Sequence, residues 1–461
     1  MNSKILSLER LGNLRQGLKD VVLSHGTFDC LHAGHLEHFR QAKALGDYLI
    51  VTITADKFVN KGPGRPFLSQ DKRAENIAAI DFVDFVAVIE DATAIPAIKA
   101  IRPDIFCRGK EYESNSSPTW LKEKIEALAS GAQIKYTSGF VDSSSRIING
   151  EFSSHNPKME SYLKSIRQKY QYCDIKRWLD NCQLFNCLVL GEQIRDNYIF
   201  VQPEGKSRKD SIVTFRQTGQ AGYHGGANII NQGLSKVCPN TTLLSSQTEY
   251  IDKTRYVLEP YYQKLFAVAA GMINPAVISE FVFKQKDLIV AADFGSGYFS
   301  SGLIEQIFKS EKFTALSVQT NSLNFGFNLA SRWLHADYLL LDDEELRLNM
   351  RDKSGDIVSL AQRQKLEIGA KYVAITRGHE GCLVISDSRI VEAPALATKV
   401  VDRLGSGDAF FAVTAPLALV GAPADVIALA GNIAAGISVG KLGNVATEKE
   451  EILRWAATLL K

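Results

Sequence analysis

Nothing in the 461-residue sequence is long and apolar enough to cross a bilayer. The first residues, Met1-Asn2-Ser3-Lys4-Ile5-Leu6, lack the extended apolar run of a secretory signal. Cysteine is sparse and scattered, at 30, 107, 173, 182, 187, 238 and 382. An odd count with no Cys-x-x-Cys pair argues against a disulfide frame and a zinc ribbon, so reduced thiols, a cytoplasmic location and no resident protein metal site are expected. Charge of one sign is also lacking. A net charge of +2 supplies no bulk field for nucleic acid or an anionic membrane, and neither is expected as a partner. Any anion must be held by local geometry. Low-complexity runs and internal repeats are absent, and the chain is too long for one ordinary core.

Short apolar strands alternate with helix-like stretches in two blocks. In the first, Val21–Ser24, Tyr48–Ile53, Phe82–Ile89 and 104–107 read as strands. His35–Leu45, Gln70–Ile80 and Ile95–Ile101 read as helices. This pattern predicts a parallel sheet covered on both faces. It stops after Asn149. Residues 151–182 are polar without the glycine/serine or proline richness of a flexible linker, and predict a helical connector built of Met159–Tyr170 and Asp174–Asn181. The second block starts at Phe185 and places strands at 288–293, 315–318, 338–341 and 372–376. Short exposed strands at 198–201 and 211–215 suggest a small projecting sheet. The expected organisation is α/β throughout: domain 1–150, connector 151–182 and domain 183–461.

Gly26-Thr27-Phe28-Asp29-Cys30-Leu31-His32-Ala33-Gly34-His35 follows a strand and opens a helix. Nucleotidyl transfer needs a triphosphate held in line and its developing charge stabilised. His32 and His35 at a helix start can donate to phosphate oxygens, and Gly26 and Gly34 let backbone approach. The segment resembles the nucleotidyltransferase superfamily with the His-x-Gly-His signature, in its cytidylyltransferase-like branch. Gly64-Arg65-Pro66 with Arg73, Cys107-Arg108-Gly109-Lys110-Glu111-Tyr112 and Ser143-Ser144-Ser145-Arg146 resemble further elements of that branch. The resemblance covers about residues 20–150 and implies a Rossmann-like fold. Its implied nucleotide site is Gly26, Thr27, Phe28, His32, His35, Arg108, Gly109, Ser143, Ser144 and Ser145.

A second glycine-rich turn, Asp402-Arg403-Leu404-Gly405-Ser406-Gly407-Asp408, also opens a helix. Its N–H groups can face a transferred phosphoryl group, with Asp408 placed to take a proton from an attacking hydroxyl. With Gly225-Gly226-Ala227-Asn228, Thr376-Arg377-Gly378 and Gly381, and Asn432, this turn resembles the ribokinase-like (PfkB) carbohydrate kinases. The resemblance covers about 183–461 and implies an α/β domain with a small β lid that often dimerises. Asp408 would be the base, and Gly405, Ser406 and Gly407 the anion hole. Thr376, Gly378, Gly381 and Asn432 would lie on the nucleotide side, and Asp196, Gly225, Gly226, Asn228 and Arg255 on the sugar side. The sequence departs from that family at Gly191-Glu192, at Val318-Gln319-Thr320-Asn321 and at Leu341-Asp342-Asp343-Glu344-Glu345, where Gly-Asp, Val-Asp-Pro-Lys and Pro-Asn-x-x-Glu are common.

Together the two blocks resemble the bifunctional enzymes of ADP-heptose synthesis, with the domain order reversed. That family phosphorylates heptose 7-phosphate at C1 and, after a separate phosphatase step, adenylylates heptose 1-phosphate. The resemblance implies Mg²⁺ with ATP or another NTP, a sugar-phosphate substrate, a nucleotide-activated sugar for surface glycan assembly, and a homodimer through the lid. Two alternatives stay open. One is a cytidylyltransferase making a CDP-polyol or CDP-sugar, with a kinase for its precursor. The other is a nucleotidyltransferase joined to a non-catalytic sugar-phosphate-binding module.

Overall fold

The computed structural model describes residues 3–59, 65–115, 117–138, 157–246, 249–321 and 324–460. Two compact units divide the chain, Met1–Ser154 and His155–Lys461.

In the first unit, β1 (Val21–Gly26), β2 (Tyr48–Thr54), β3 (Phe85–Ile89), β4 (Ile105–Gly109) and β5 (Gln133–Thr137) form one sheet in the order β3-β2-β1-β4-β5. Every described pairing is parallel. The sheet interior is apolar on both faces because helices cover both. One face packs Leu23, Ile50, Phe106 and Trp120; the other packs Val22, Val51, Phe39 and Ile77. The strand order reverses between β1 and β4, so their carboxyl ends diverge into a crevice, the usual ligand position in open α/β sheets. The helix Ala33–Lys43 starts there, two residues earlier than its periodicity suggests, because His32 caps it. Helices Leu8–Leu14 and Pro118–Ala129 and strand β5 were not read from the sequence. Strand β5 is an edge strand alternating polar and apolar residues, Gln-Ile-Lys-Tyr-Thr, so it lacks the apolar run that marks the buried strands.

The second unit has an eight-stranded sheet. In chain order its strands are β6 (Cys187–Gly191), β9 (Thr241–Leu244), β12 (Leu288–Asp293), β13 (Phe313–Val318), β14 (Tyr338–Asp342), β15 (Tyr372–Thr376), β16 (Cys382–Ile385) and β17 (Ile390–Ala393). The spatial order is β17-β16-β15-β14-β13-β12-β6-β9, parallel from β15 to β9. A separate four-stranded sheet is made by β7 (Gln193–Lys206), β8 (Val213–Gly226), β10 (Ile251–Leu258) and β11 (Gln263–Ala270), in the order β11-β10-β7-β8. Its two long strands exceed the short exposed ones expected at 198–201 and 211–215. Tyr198 and Val201 are buried, since one face of this sheet packs inward.

The described part of the stretch expected as a connector, residues 157–182, belongs to this unit. Its helices, Pro157–Arg167 and Tyr172–Asn181, place Tyr162, Leu163, Ile166, Ile175 and Leu179 in the unit's single large core. Helices Ser406–Leu419 and Ala424–Val439 are apolar almost all round because that core surrounds them.

Parallel pairing has a direct consequence for chemistry. The carboxyl ends of β6, β12, β13, β14 and β15 all lie on one side of the sheet. Glu192, Asp293, Gln319, Asp342 and Arg377, far apart in sequence, are thereby brought to a common edge.

Candidate active sites

In the first unit, His32 Nδ1 accepts from the N–H of Gly34 at 3.2 Å, and the His32 and His35 rings lie 3.9 Å apart between centroids. The edge of Phe28 supports His35, with ring centroids 5.2 Å apart. Phe28 itself sits at φ 46°, in the left-handed region that bulky residues avoid. Its ring lies where a Cβ on residue 26 would fall, within 2.9 Å, which explains Gly26. Two imidazoles are therefore held together at the start of a helix beside the sheet's crevice.

The expected loop and arginine hold this turn in shape. Asp29 is 1% exposed and accepts from Phe67 N, Leu68 N and Arg65 Nη1. Arg73 is fully buried and donates to the carbonyls of Thr27 (2.6 Å), Thr54 (2.8 Å) and Leu68 (3.1 Å), and to Asp56. Replacing Arg73 with Leu strands three carbonyl oxygens. The first unit should lose about 3 kcal/mol of stability, read as an earlier transition in calorimetry of the whole chain.

Arg108, expected at the nucleotide, is not presented at the strand ends. It is 5% exposed; its guanidinium donates to His25 O and to Glu123 and lies 4.5 Å over the Tyr112 ring. Gly109 ends β4 and leads into the turn Lys110–Tyr112. Ser143, Ser144 and Ser145 lie outside the described residues.

Sequence reasoning missed two histidines behind the site. His25 contacts Thr52 Oγ1 at 3.0 Å, and His38 bridges Ser24 and Thr137, 2.7 Å from each hydroxyl oxygen. Burial, then the nearby Arg108 charge, pushes His25 down to about 3 and His38 to about 4. Both are neutral and serve to tie β1, β2, β5 and the helix together. Only the neighbouring strand positions reveal them, and no local spacing does.

In the second unit, Gly405 caps Ser406–Leu419 at φ 75°. A Cβ there would fall 1.8 Å from Asn444 Oδ1, so only glycine fits. Around Gly407 a Cβ would meet nothing within 4 Å, leaving space before the helix's first N–H groups. Asp408 lies in this first turn, 8% exposed. Gln319 Nε2 donates to its Oδ1 at 2.8 Å. Burial raises the Asp408 carboxyl to about 6, opposed by the hydrogen bonds of Gln319 and Asn444. Asp402, at the head of the loop, accepts from Tyr198 Oη (2.7 Å) on β7 and Lys264 Nζ (2.6 Å) on β11, so the small sheet is fastened to the glycine turn.

On the expected sugar side, Asp196 is 3% exposed and accepts twice from Arg255, at 2.7 and 3.0 Å. A Cβ at Gly225 would sit 2.7 Å from Asp196 Oδ2, so the glycine keeps that oxygen uncovered. Gly226, at φ 59°, turns the chain into the helix carrying Asn228, which is half-buried in its first turn. Lys253 lies among Asp196, Arg255, Asp408 and Glu192, held below the ordinary lysine range chiefly by burial. Glu192 accepts from Phe294 N and Ser296 N at 3.0 Å each and shapes the turn after β12.

On the expected nucleotide side, Thr376 ends β15 opposite Asp342. Gly381 (φ 96°) would place a Cβ 2.0 Å from Ala393 O, whereas Gly378 faces open space. The amide of Asn432 is turned onto the carbonyls of Ala393 and Pro394, so it shapes the loop after β17 and is not offered to a base. Glu345 accepts from Thr320 N and Asp342 N at 2.8 Å; burial, then Asp342, raises it to about 8. Among the described residues no cluster of three or more His, Cys, Asp or Glu side chains is arranged to hold a metal ion, and no helix is long and apolar enough to cross a membrane.

The chain carries a cytidylyltransferase-like domain, matched over residues 23–149, followed by a domain of the pfkB family of carbohydrate kinases, matched over 274–451. Among individual proteins it is similar to the bifunctional protein HldE of Campylobacter fetus, 40% identical over 111 residues, and to that of Helicobacter pylori strain G27, 43% identical over 112 residues. Each match takes in 24% of this chain and 24% of the relative, so the chain spans about a quarter of the length of these relatives. Solved structures similar to it include the ribokinase of Thermotoga maritima (16% identity, TM-score 0.47, covering 58% of this chain and 98% of that one). The ribokinase of Arabidopsis thaliana complexed with ribose and ATP is 14% identical, with TM-score 0.47, over 60% of this chain and 99% of that one.

Proposed function

We propose that this protein is a bifunctional sugar kinase and sugar-phosphate nucleotidyltransferase that makes a nucleotide-activated sugar, ADP-heptose from heptose phosphates. One observation carries the reading: a single chain holds two separate helix starts beside a glycine turn, one with paired imidazoles and one with a buried carboxylate. The similarity to HldE supports heptose as the sugar and adenine as the base.

In the kinase step a sugar hydroxyl oxygen attacks the γ-phosphorus of ATP, its proton passes to Asp408, and ADP leaves. The N–H groups at Gly405–Gly407 and the helix start stabilise the charge on the transferred phosphoryl oxygens. In the transferase step an oxygen of the sugar 1-phosphate attacks the α-phosphorus of the triphosphate, and pyrophosphate leaves. His32 and His35 donate to the phosphate oxygens. The backbone of Gly26, Thr27, Phe28 and Gly109 borders the nucleotide. Arg108 acts from behind, through Glu123 and His25 O. Asp196, Gly225, Gly226, Asn228 and Arg255 receive the sugar, while Thr376, Gly378 and Gly381 form the nucleotide side and Asn432 acts from behind, through the loop after β17.

Mg²⁺ fits this donor set as an ion carried in by the nucleotide, because it keeps several waters and needs only one or two protein carboxylates. Asp342, exposed at the end of β14, would be the carboxylate to meet it. When bound, the ion neutralises phosphate charge.

Pyrophosphate release with each of the four NTPs and a set of sugar 1-phosphates tests the transferase reading. Preference for ATP with a heptose phosphate is expected, and preference for CTP with a polyol phosphate would replace it with the cytidylyl alternative. ATP turnover across a sugar-phosphate panel tests the kinase; no Asp408-dependent turnover on any sugar would favour the binding module.

A homodimer through the small sheet is part of the proposal. Strand β11 is a sheet edge, exposed along its length, with Leu265, Phe266 and Val268 open to solvent. Light scattering should give twice the chain mass, and Phe266→Glu should reduce it to one. A monomeric wild type would remove this part.

A further inference from the structure

The position after β13 carries glutamine, and its amide reaches the buried carboxylate at the start of the helix Ser406–Leu419. Gln319 is anchored at both ends of its backbone: its N–H donates to Asp293 O at 2.8 Å, and its carbonyl accepts from Asn328 Nδ2 at 3.2 Å. With the backbone fixed, the side chain spans to Asp408 Oδ1 at 2.8 Å, across 89 residues of sequence. A carboxylate at 319 would bring a second negative charge against Asp408 at this distance. Glutamine brings a donor.

We propose that Gln319 is a positioning residue for phosphoryl transfer, its N–H orienting the Asp408 carboxylate and favouring the ionised form that accepts the sugar proton. The inference rests on the reading of Asp408 as the proton acceptor. A donor to a carboxylate stabilises the charged form, and a like charge beside it does the reverse. The other groups facing Asp408 are the Asn444 amide, the carboxylates of Asp196 and Glu345, and the ammonium of Lys253. Asp196 opposes ionisation, while Asn444 and Lys253 favour it, and Gln319 adds a further donor on the side of the ionised form. Burial has already raised the Asp408 carboxyl to about 6, near working pH.

The test is a titration of Asp408 in the full chain with ¹³Cγ-labelled aspartate, its resonance assigned by its loss in Asp408→Asn. Gln319→Leu, which removes the donor, should raise the midpoint by about half a pH unit or more. Gln319→Glu, which keeps the side chain's size and adds charge, should raise it further. The acid limb of the kinase kcat/KM profile should move up in pH by the same amounts. Midpoints in both variants equal to wild type would overturn the proposal. So would a uniform loss of rate at every pH with no displacement of the limb, which is the mark of a merely structural role. The titration needs no turnover. Were Asp408→Asn to keep kinase activity, the reading of the base would fail, while the titration would still decide whether Gln319 controls this carboxyl.

Discussion

Asp408→Asn lowers kinase turnover by about 10²- to 10⁴-fold, the range spanned by a positioned general base. Asparagine keeps the shape and can still accept from Gln319, so sugar and nucleotide binding should change little and the loss should fall on kcat. The same substitution is expected to stabilise the second unit. The Asp408 carboxyl is raised to about 6 in the fold, above its unfolded value of about 3.9. A raised carboxylate favours folding while protonated, and that contribution fades as pH climbs from the unfolded value through the folded one. At pH 7.5 the ionised, buried Asp408 therefore costs stability, on the order of 2–3 kcal/mol. Asp408→Asn removes the cost, so the unfolding transition should move up while turnover collapses. In wild type, kinase rate should rise with pH through about 6, as the acceptor ionises. A variant that loses stability and activity together would show Asp408 to be a structural residue only.

His35→Ala, the second large effect, should lower pyrophosphate release by about 10²- to 10³-fold, the cost of removing one preorganised donor to developing phosphate charge. His32→Ala should do the same and also weaken the helix start by about 1 kcal/mol, because its Nδ1 caps Gly34. Kinase turnover should be unaffected in both, since the chemistry belongs to the other unit. Unchanged pyrophosphate release in His35→Ala would sink the assignment of the imidazoles. His25 and His38 provide a contrast. Held neutral and hydrogen-bonded in the interior, they should act through stability, with little change in kcat for protein that remains folded.

The parallel sheets were legible because buried strands read as apolar runs and their helices as periodic stretches between them. Strand β5 was not, being an edge strand with polar alternation. That the helices Pro157–Arg167 and Tyr172–Asn181 join the core of the second unit was not legible, for a related reason. Each shows one apolar face, and a polar average hides how fully Leu163, Ile166 and Leu179 are buried once a core is offered to them. Local chemistry was read in the same uneven way. Glycines at 26, 225, 226, 381 and 405 announced the turns, yet several are explained by neighbours far along the chain, such as Asn444 against Gly405 and Ala393 against Gly381.

Arg108 and Asn432 show the limit of motif reading. Each sits in a segment with a recognisable pattern, but the fold turns both side chains onto internal partners, Glu123 with His25 O for one and two carbonyls of the loop after β17 for the other.

By itself the sequence determined two α/β units and two helix starts suited to phosphate, because glycine conformations and first-turn N–H groups depend on residues only a few positions apart. The tertiary structure alone decided which polar side chains meet: Gln319 with Asp408, Arg255 with Asp196, Lys264 with Asp402. Parallel strands deliver their carboxyl ends to one edge whatever their separation along the chain, and the packing of the core sets which residue of each arrives there.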